Sequence, residues 1–196
     1  MTRRYRTAKK IQATAIQLAV RDGLANVTTE AIAKEAGIST RTFFNYYPYK
    51  EAAMMGPPPD YPADASEQFV KGRGTLLEDL DRLITLHLAR FIEERELLAH
   101  ILVLANSDAK LDALRNSTIL SRRAQMRDLL RRRCPDAKPA QIEILAAAIV
   151  AATNAATKDW ASGEVDDFIG AARENLTLIQ SARQLMPGSE ALYPHE

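Results

Sequence analysis

Residues 37–51 read GISTRTFFNYYPYKE, with five aromatic rings inside the seven positions 43–49 (Phe43, Phe44, Tyr46, Tyr47, Tyr49). One face of a short helix cannot bury five rings, so part of this stretch must meet something other than the protein core. Gly37 closes the preceding segment, and Ser39 two residues later is a good N-cap for a new helix reaching about Tyr46, where Pro48 ends it. Upstream, NVTTEAIAKEAG (26–37) predicts another short helix, capped by Thr28 and facing Ile32 and Ala36 inward. Helix, tight glycine turn, helix is a helix-turn-helix arrangement.

In that arrangement the N-terminal end of the second helix faces base edges in the major groove while its neighbours hold phosphates. Ser39, Thr40 and Thr42 bring short hydroxyls to a helix N-terminus, where open N–H groups also favour phosphate. Arg41 suits either a bidentate grip on guanine or a phosphate contact, and Asn45 either an adenine or the DNA backbone. The spacing sends Phe43 and Tyr47 inward and leaves Phe44 and Tyr46 on the DNA side. The competing reading is that these two rings also fill a small three-helix core.

Charge points the same way. Residues 1–51 hold nine Lys/Arg against four acids, about +5, while the other residues hold 17 against 21, about −4. The whole-chain value of +1 hides a basic head on an acidic body. With 196 residues, 46% apolar and 26% charged, the composition is that of a globular chain large enough for one large core or for a small module joined to a larger one. No uninterrupted apolar run approaches the roughly 18–20 residues of a membrane helix, and no signal-peptide pattern is present. The expected location is cytoplasmic, which makes the Asn116 and Asn175 sequons accidental. The single cysteine, Cys134, excludes an internal disulfide and any multi-cysteine metal site.

Apolar residues recur at helical spacing throughout, and the expected fold is all-α. A first helix over about 3–22 presents Ala8, Ile11, Ala15, Leu18 and Ala19 on one face. A short fourth helix begins near Lys50 and meets GPPPDYP (56–62), whose four prolines forbid continuation. Three parts result: a helix-turn-helix domain (1–55), a proline-rich junction (56–74) with a helical turn near Ala65–Val70, and a helical body (75–196). In the body, Thr75 and Glu78 form a capping-box pattern before the stripe Leu76, Leu80, Leu83, Ile84, His87, Phe91. Helices follow over 97–105 and 108–133. Pro139 opens an alanine-rich helix that Gly163 stops, and a last helix runs from Asp166–Asp167 to about Met186.

As one continuous pattern, TTEAIAKEAGISTRTFFNYYPYKE (28–51), with a basic amphipathic helix before it and a helical body after, resembles the TetR family of transcriptional regulators. The resemblance implies a DNA-binding N-terminal module, a variable bundle whose small-molecule effector releases DNA, and dimerisation through the last two long helices. Carried onto this chain, it marks Thr28, Ser39, Thr40, Arg41, Asn45, Tyr46 and Lys50 as DNA contacts, with Thr28 facing the backbone and Lys50 on a phosphate. Phe44 stands where tyrosine is common, Tyr49 replaces a small N-cap, and the prolines shorten the fourth helix, the family's lever between ligand and DNA.

The helix after Pro139 carries more apolar surface than one intramolecular contact requires. Ile142, Leu145, Ile149, Ala152, Ala156 and Trp160, with Phe168, Leu176 and Ile179 of the last helix, fit either a four-helix dimer interface or the centre of the chain's own core. A two-fold dimer matches a palindromic operator. Polar residues on otherwise apolar stretches, His87, His100, Asn106, Thr118 and Asn154, are candidates for an effector pocket or hydrogen-bonded core positions. Arg131, Arg132 and Arg133 either form an anion site or complement a helix C-terminus, and Cys134 is either an oxidant sensor or an ordinary loop residue. No phosphate loop, HExxH pair or local catalytic triad signature occurs, so neither an enzyme nor a cofactor or metal is expected. The leading expectation is a ligand-responsive, dimeric DNA-binding regulator, usually a repressor. The alternative is a TetR-fold protein that has lost ligand control and acts through a protein partner.

Overall fold

A computed structural model describes residues 2–182. Among them are ten α-helices: α1 (Arg3–Asp22), α2 (Thr29–Glu35), α3 (Thr40–Phe44), α4 (Lys50–Met55), α5 (Ala63–Lys71), α6 (Leu76–Leu88), α7 (Arg95–Ser107), α8 (Ala109–Arg133), α9 (Pro139–Ser162) and α10 (Phe168–Ser181). Two 3₁₀ segments, Leu24–Asn26 and Ala89–Glu94, follow α1 and α6. The all-α expectation is met, and no strand occurs among the described residues. The expected end of the last helix near Met186 lies outside the described residues.

The chain divides into two compact units, Met1–Asp60 with Glu93–Gln125, and Tyr61–Ile92 with Met126–Glu196. This partition is interleaved, unlike the linear division into 1–55, 56–74 and 75–196. In the first unit the predicted face of α1 (Ala8, Ile11, Ala15, Leu18, Ala19) is buried in full and packs with Ile32, Phe43, Tyr47 and Met54. Ile101 and Ala105 of α7 and Leu111 of α8 belong to the same core. The helix-turn-helix is therefore too small to enclose its own apolar residues and takes part of its core from later in the chain.

The second unit packs α5 on α6, α6 on α10, and α9 on α10. The capping box at Thr75–Glu78 forms as expected, with Glu78 N–H donating to Thr75 Oγ1 and Thr75 N–H donating to Glu78 Oε2. Inside the junction, α5 is a full nine-residue helix rather than a single turn. All three arginines of 131–133 are engaged in ion pairs, Arg131 with Asp128 at 3.8 Å. Arg133 Nη2 donates to Asp79 Oδ2 at 3.0 Å and Gly74 O at 2.9 Å, and Arg132 pairs with Glu67. Trp160 stacks on Phe168 with ring centroids 4.3 Å apart and planes 7° off parallel.

By length and mean hydropathy (1.3) α9 is long and apolar enough to cross a membrane, although Thr153, Asn154 and Thr157 keep its uninterrupted apolar runs short. A third of the window is buried inside the chain.

Candidate nucleic-acid interface

Each of the three short helices in the first unit has an end fastened by a named polar group. Thr28 caps α2 by accepting the Ala31 N–H (3.1 Å), and Ser39 caps α3 by accepting the Thr42 N–H (3.0 Å). The Ser39 and Thr42 hydroxyls are also within 2.8 Å of one another. Tyr49 offers α4 no side-chain cap, in keeping with its replacement of a small residue there. Instead Lys50 Nζ donates to Leu24 O (2.8 Å) and Val27 O (2.9 Å), tying the start of α4 to the 3₁₀ turn after α1. This ammonium is half-buried and holds backbone carbonyls, a structural task that the sequence pattern did not indicate.

Phe43, Tyr47 and Phe44 lie as their spacing predicts, whereas Tyr46, expected on the DNA side, is half-buried and packs against the core. Phe43 is fully buried, and Tyr47 is buried with its hydroxyl donating to Ala8 O at 3.1 Å. Burial pushes the Tyr47 phenol well above its ordinary value near 10. Phe44 is 51% exposed and meets Phe43 edge-on at 5.5 Å. Arg41 and Asn45 are exposed beside it, Thr40 and Thr42 half-buried, and Tyr46 half-buried. The two inward rings fix the rotation of α3, and the same rotation turns Arg41, Phe44 and Asn45 outward.

Three further contacts escaped the sequence reading. Arg4 donates to Asn45 O at 3.3 Å and lies 5.1 Å over the Tyr46 ring. Gln12, 3% exposed on the apolar face of α1, donates to Met54 O (3.2 Å) and Met55 O (3.0 Å) at the end of α4. Lys9 donates to Gln12 Oε1 and to Glu94 Oε2, each at 2.7 Å, completing a polar chain. Gly56 is required where this chain meets α4: its φ is +77°, and a Cβ there would fall 2.2 Å from the Gln12 side chain. A polar residue breaking an apolar helical face was the available signal for Gln12.

The pocket candidates do not converge. Thr118 lines a cleft of about 240 Å³ between residues 55–60 and one face of α8 carrying Ser117, Ser121, Arg122 and Gln125. Gln125 closes one side by donating to Asp60 Oδ1 at 2.7 Å. His100 and Asn106 lie on α7, half-buried and exposed, outside the lining. His87 and Asn154 belong to the other unit, where His87 is buried between Tyr61 (4.7 Å) and Phe91 (5.4 Å). Cys134 is half-buried.

Of the dimer candidates, Ile142, Ile149, Ala156, Trp160, Phe168 and Leu176 are buried against the chain's own residues. Leu145, Ala152 and Ile179 are half-buried, and Ala152 O accepts a bond from Asn175 Nδ2 (3.2 Å). The exposed stripe of α9 runs instead through Ile144 (71% exposed), Ala151, Ala155 and Lys158, with Leu178 (56%) exposed on α10. Amphipathic periodicity could not choose between sides because α9 is apolar nearly all round.

Residues 11–52 match the family model of bacterial regulatory proteins of the tetR family. Helix order, helix-turn-helix and sequence model together define a TetR-family DNA-binding domain at the head of an all-α chain. Among solved structures, FadR of Thermus thermophilus, a TetR-family transcriptional repressor in complex with lauroyl-CoA, is similar with a TM-score of 0.60 at 24% identity, covering 96% of this chain and 100% of its own. FadR of Bacillus halodurans, a fatty acid degradation regulator, gives 0.56 at 15% identity, covering 88% and 93%. A TetR-family regulator from Mesorhizobium loti gives 0.54 at 14%, covering 93% and 98%. No curated protein matches the sequence. The family resemblance read from residues 28–51 is borne out over the matched segment 11–52, and the rest of the chain shares the all-α fold of these regulators.

Proposed function

We propose that this chain is a ligand-responsive repressor that binds a palindromic operator as a homodimer in the cytoplasm, with no enzymatic activity. The observation that carries the reading is the rotation of α3. Phe43 and Tyr47 are buried beneath it, and Arg41, Phe44 and Asn45 are exposed together within the basic first quarter of the chain. In this reading residues 1–55 are the DNA-binding domain, 56–74 the junction, and 75–196 the effector and dimerisation domain. Ser39, Thr40 and Thr42 meet phosphate at the α3 N-terminus, Arg41 and Asn45 read bases, and Thr28 and Tyr46 hold the DNA backbone, while Lys50, which holds Leu24 O and Val27 O, offers its remaining N–H to a phosphate.

Dimerisation is assigned to the exposed stripe of α9 and to Leu178, in place of the six residues occupied inside the chain. The effector is assigned to the cleft containing Thr118 and Arg122, because it touches Met55 and Gly56 at the end of α4. A ligand there has a direct mechanical route to the helix-turn-helix, which favours retained ligand control over the partner-protein alternative. The Thermus relative was solved with lauroyl-CoA, so acyl-CoA thioesters are the first effectors to screen.

Selection from a random duplex library tests the reading. Wild type enriches a palindrome, and Arg41→Ala loses roughly 1–3 kcal/mol on it while relaxing the preference at one base pair of each half-site. A folded wild-type protein that enriches nothing at moderate salt overturns the proposal.

A further inference from the structure

We infer that Arg4, on the first turn of α1, is part of the DNA interface, as a phosphate contact and as the residue that positions the C-terminal end of α3; the inference rests on the DNA-binding reading above. Arg4 lies 41 positions before Asn45 and belongs to none of the helix-turn-helix elements. Its Nη2 donates to the carbonyl of Asn45, the C-cap residue of α3, and its guanidinium lies 5.1 Å over the ring of Tyr46. It therefore holds two neighbouring residues of the proposed contact set at once.

The placement is rigid. Thr2 caps α1 by accepting the Tyr5 N–H (3.2 Å), so Arg4 projects from a formed helix rather than from a loose arm. One turn further on, Tyr47 bonds Ala8 O, fastening α1 to the segment just after α3. Stacking on Tyr46 uses one face of the guanidinium, and Asn45 O uses one donor. Arg4 is exposed, and most of its planar fork of N–H groups is left for a phosphate oxygen. A residue serving solely as a C-cap for α3 gains little from being arginine at an exposed site. A phosphate contact explains both the charge and the ring beneath it. Lys10, further along α1, supports the same footprint: its Nζ lies 3.9 Å from where a Cβ on Gly37 would sit, beside the turn that precedes α3.

The test is fluorescence anisotropy on the duplex selected by wild type, titrated at several salt concentrations between about 50 and 200 mM, the range over which phosphate contacts change affinity most visibly. The proteins are wild type, Arg4→Ala, Arg4→Lys and Arg21→Ala. Arg21 sits at the other end of α1, roughly 25 Å away at the helical rise, and serves as a charge control. Arg4→Ala is expected to bind about tenfold more weakly near physiological salt, and its slope of log K against log salt falls by about 0.9 per protomer. Arg4→Lys keeps the slope and recovers part of the affinity, whereas Arg21→Ala matches wild type. Equal weakening of Arg4→Ala at every salt concentration, or no weakening, overturns the phosphate contact while the Arg41 dependence of the operator leaves the DNA-binding reading standing. If wild type selects no duplex, the reading itself fails and this assignment fails with it.

Discussion

The helix-turn-helix and the α9–α10 pair are held together by different means. Helices of seven, five and six residues in α2, α3 and α4 are too short to persist alone. Their ends are tied by Thr28, Ser39, Lys50 and Gln12, each bonding a particular backbone group. By contrast α9 spans 24 residues and packs along α10 with Trp160 stacked on Phe168, the bond from Asn175 Nδ2 to Ala152 O being an addition to a contact of mainly apolar helices. Directional bonds fix where a side chain points, which a surface that reads DNA requires. Apolar area fixes that two helices meet, which suffices for a scaffold.

The largest effect is expected at the ring that anchors α3. Phe43→Ala should lower the unfolding free energy by about 3–5 kcal/mol, measured by urea denaturation. A loss below about 1 kcal/mol would mean that α3 is not seated on the core and would undo the contrast.

Gln12→Leu comes next. It keeps the volume but strands the carbonyls of Met54 and Met55 and removes the acceptor for Lys9, at a cost of about 1–3 kcal/mol. Gly56→Ala forces a Cβ into the same side chain at positive φ. Because the two sites share one space, the double variant Gln12→Ala/Gly56→Ala should be less destabilised than the sum of its singles. Full additivity would show that Gln12 does not hold the end of α4.

Tyr47→Phe is smaller, about 0.5–1.5 kcal/mol for the bond to Ala8 O. It also carries a pH signature. The folded protein keeps the Tyr47 proton beyond the ordinary value near 10, so between these two points the native state binds more protons than the unfolded state. Stability from this group is complete below about pH 10 and declines above it. The gap between wild type and Tyr47→Phe should narrow in denaturation curves taken from pH 8 to pH 11.

Much of the head was legible because its signals are local. The α1 face followed from 3.6-residue spacing, the inward pair Phe43 and Tyr47 from their i, i+4 separation, and the ends of α9 from Pro139 and Gly163. What stayed hidden depends on residues distant in the chain. Nothing within one or two turns of Gln12 tells that the end of α4 arrives beside it, and nothing near Lys50 reveals the carbonyls of Leu24 and Val27. Arg4 looked like one of several basic residues until the C-terminus of α3 lay against it. The body was legible as helices but not as surfaces. In α9, Ile142 and Ile144 are equally apolar in sequence, yet they are 4% and 71% exposed.

That pair gives the sharpest test of the assignment to area. Ile144→Asp should change the stability of the isolated chain by no more than about 0.5 kcal/mol, since the side chain is in solvent there. A charge at the centre of an apolar contact between copies would nevertheless be desolvated, so the same variant should sediment as a monomer at concentrations where wild type is dimeric. Ile142→Asp should behave in the opposite way, because it buries a carboxylate in the chain's own core and unfolds it before any question of assembly arises. If Ile144→Asp sediments like wild type, the exposed stripe of α9 is not the contact surface. The half-buried residues Leu145, Ala152 and Ile179 would then have to supply it, with α9 and α10 parting from one another to expose them.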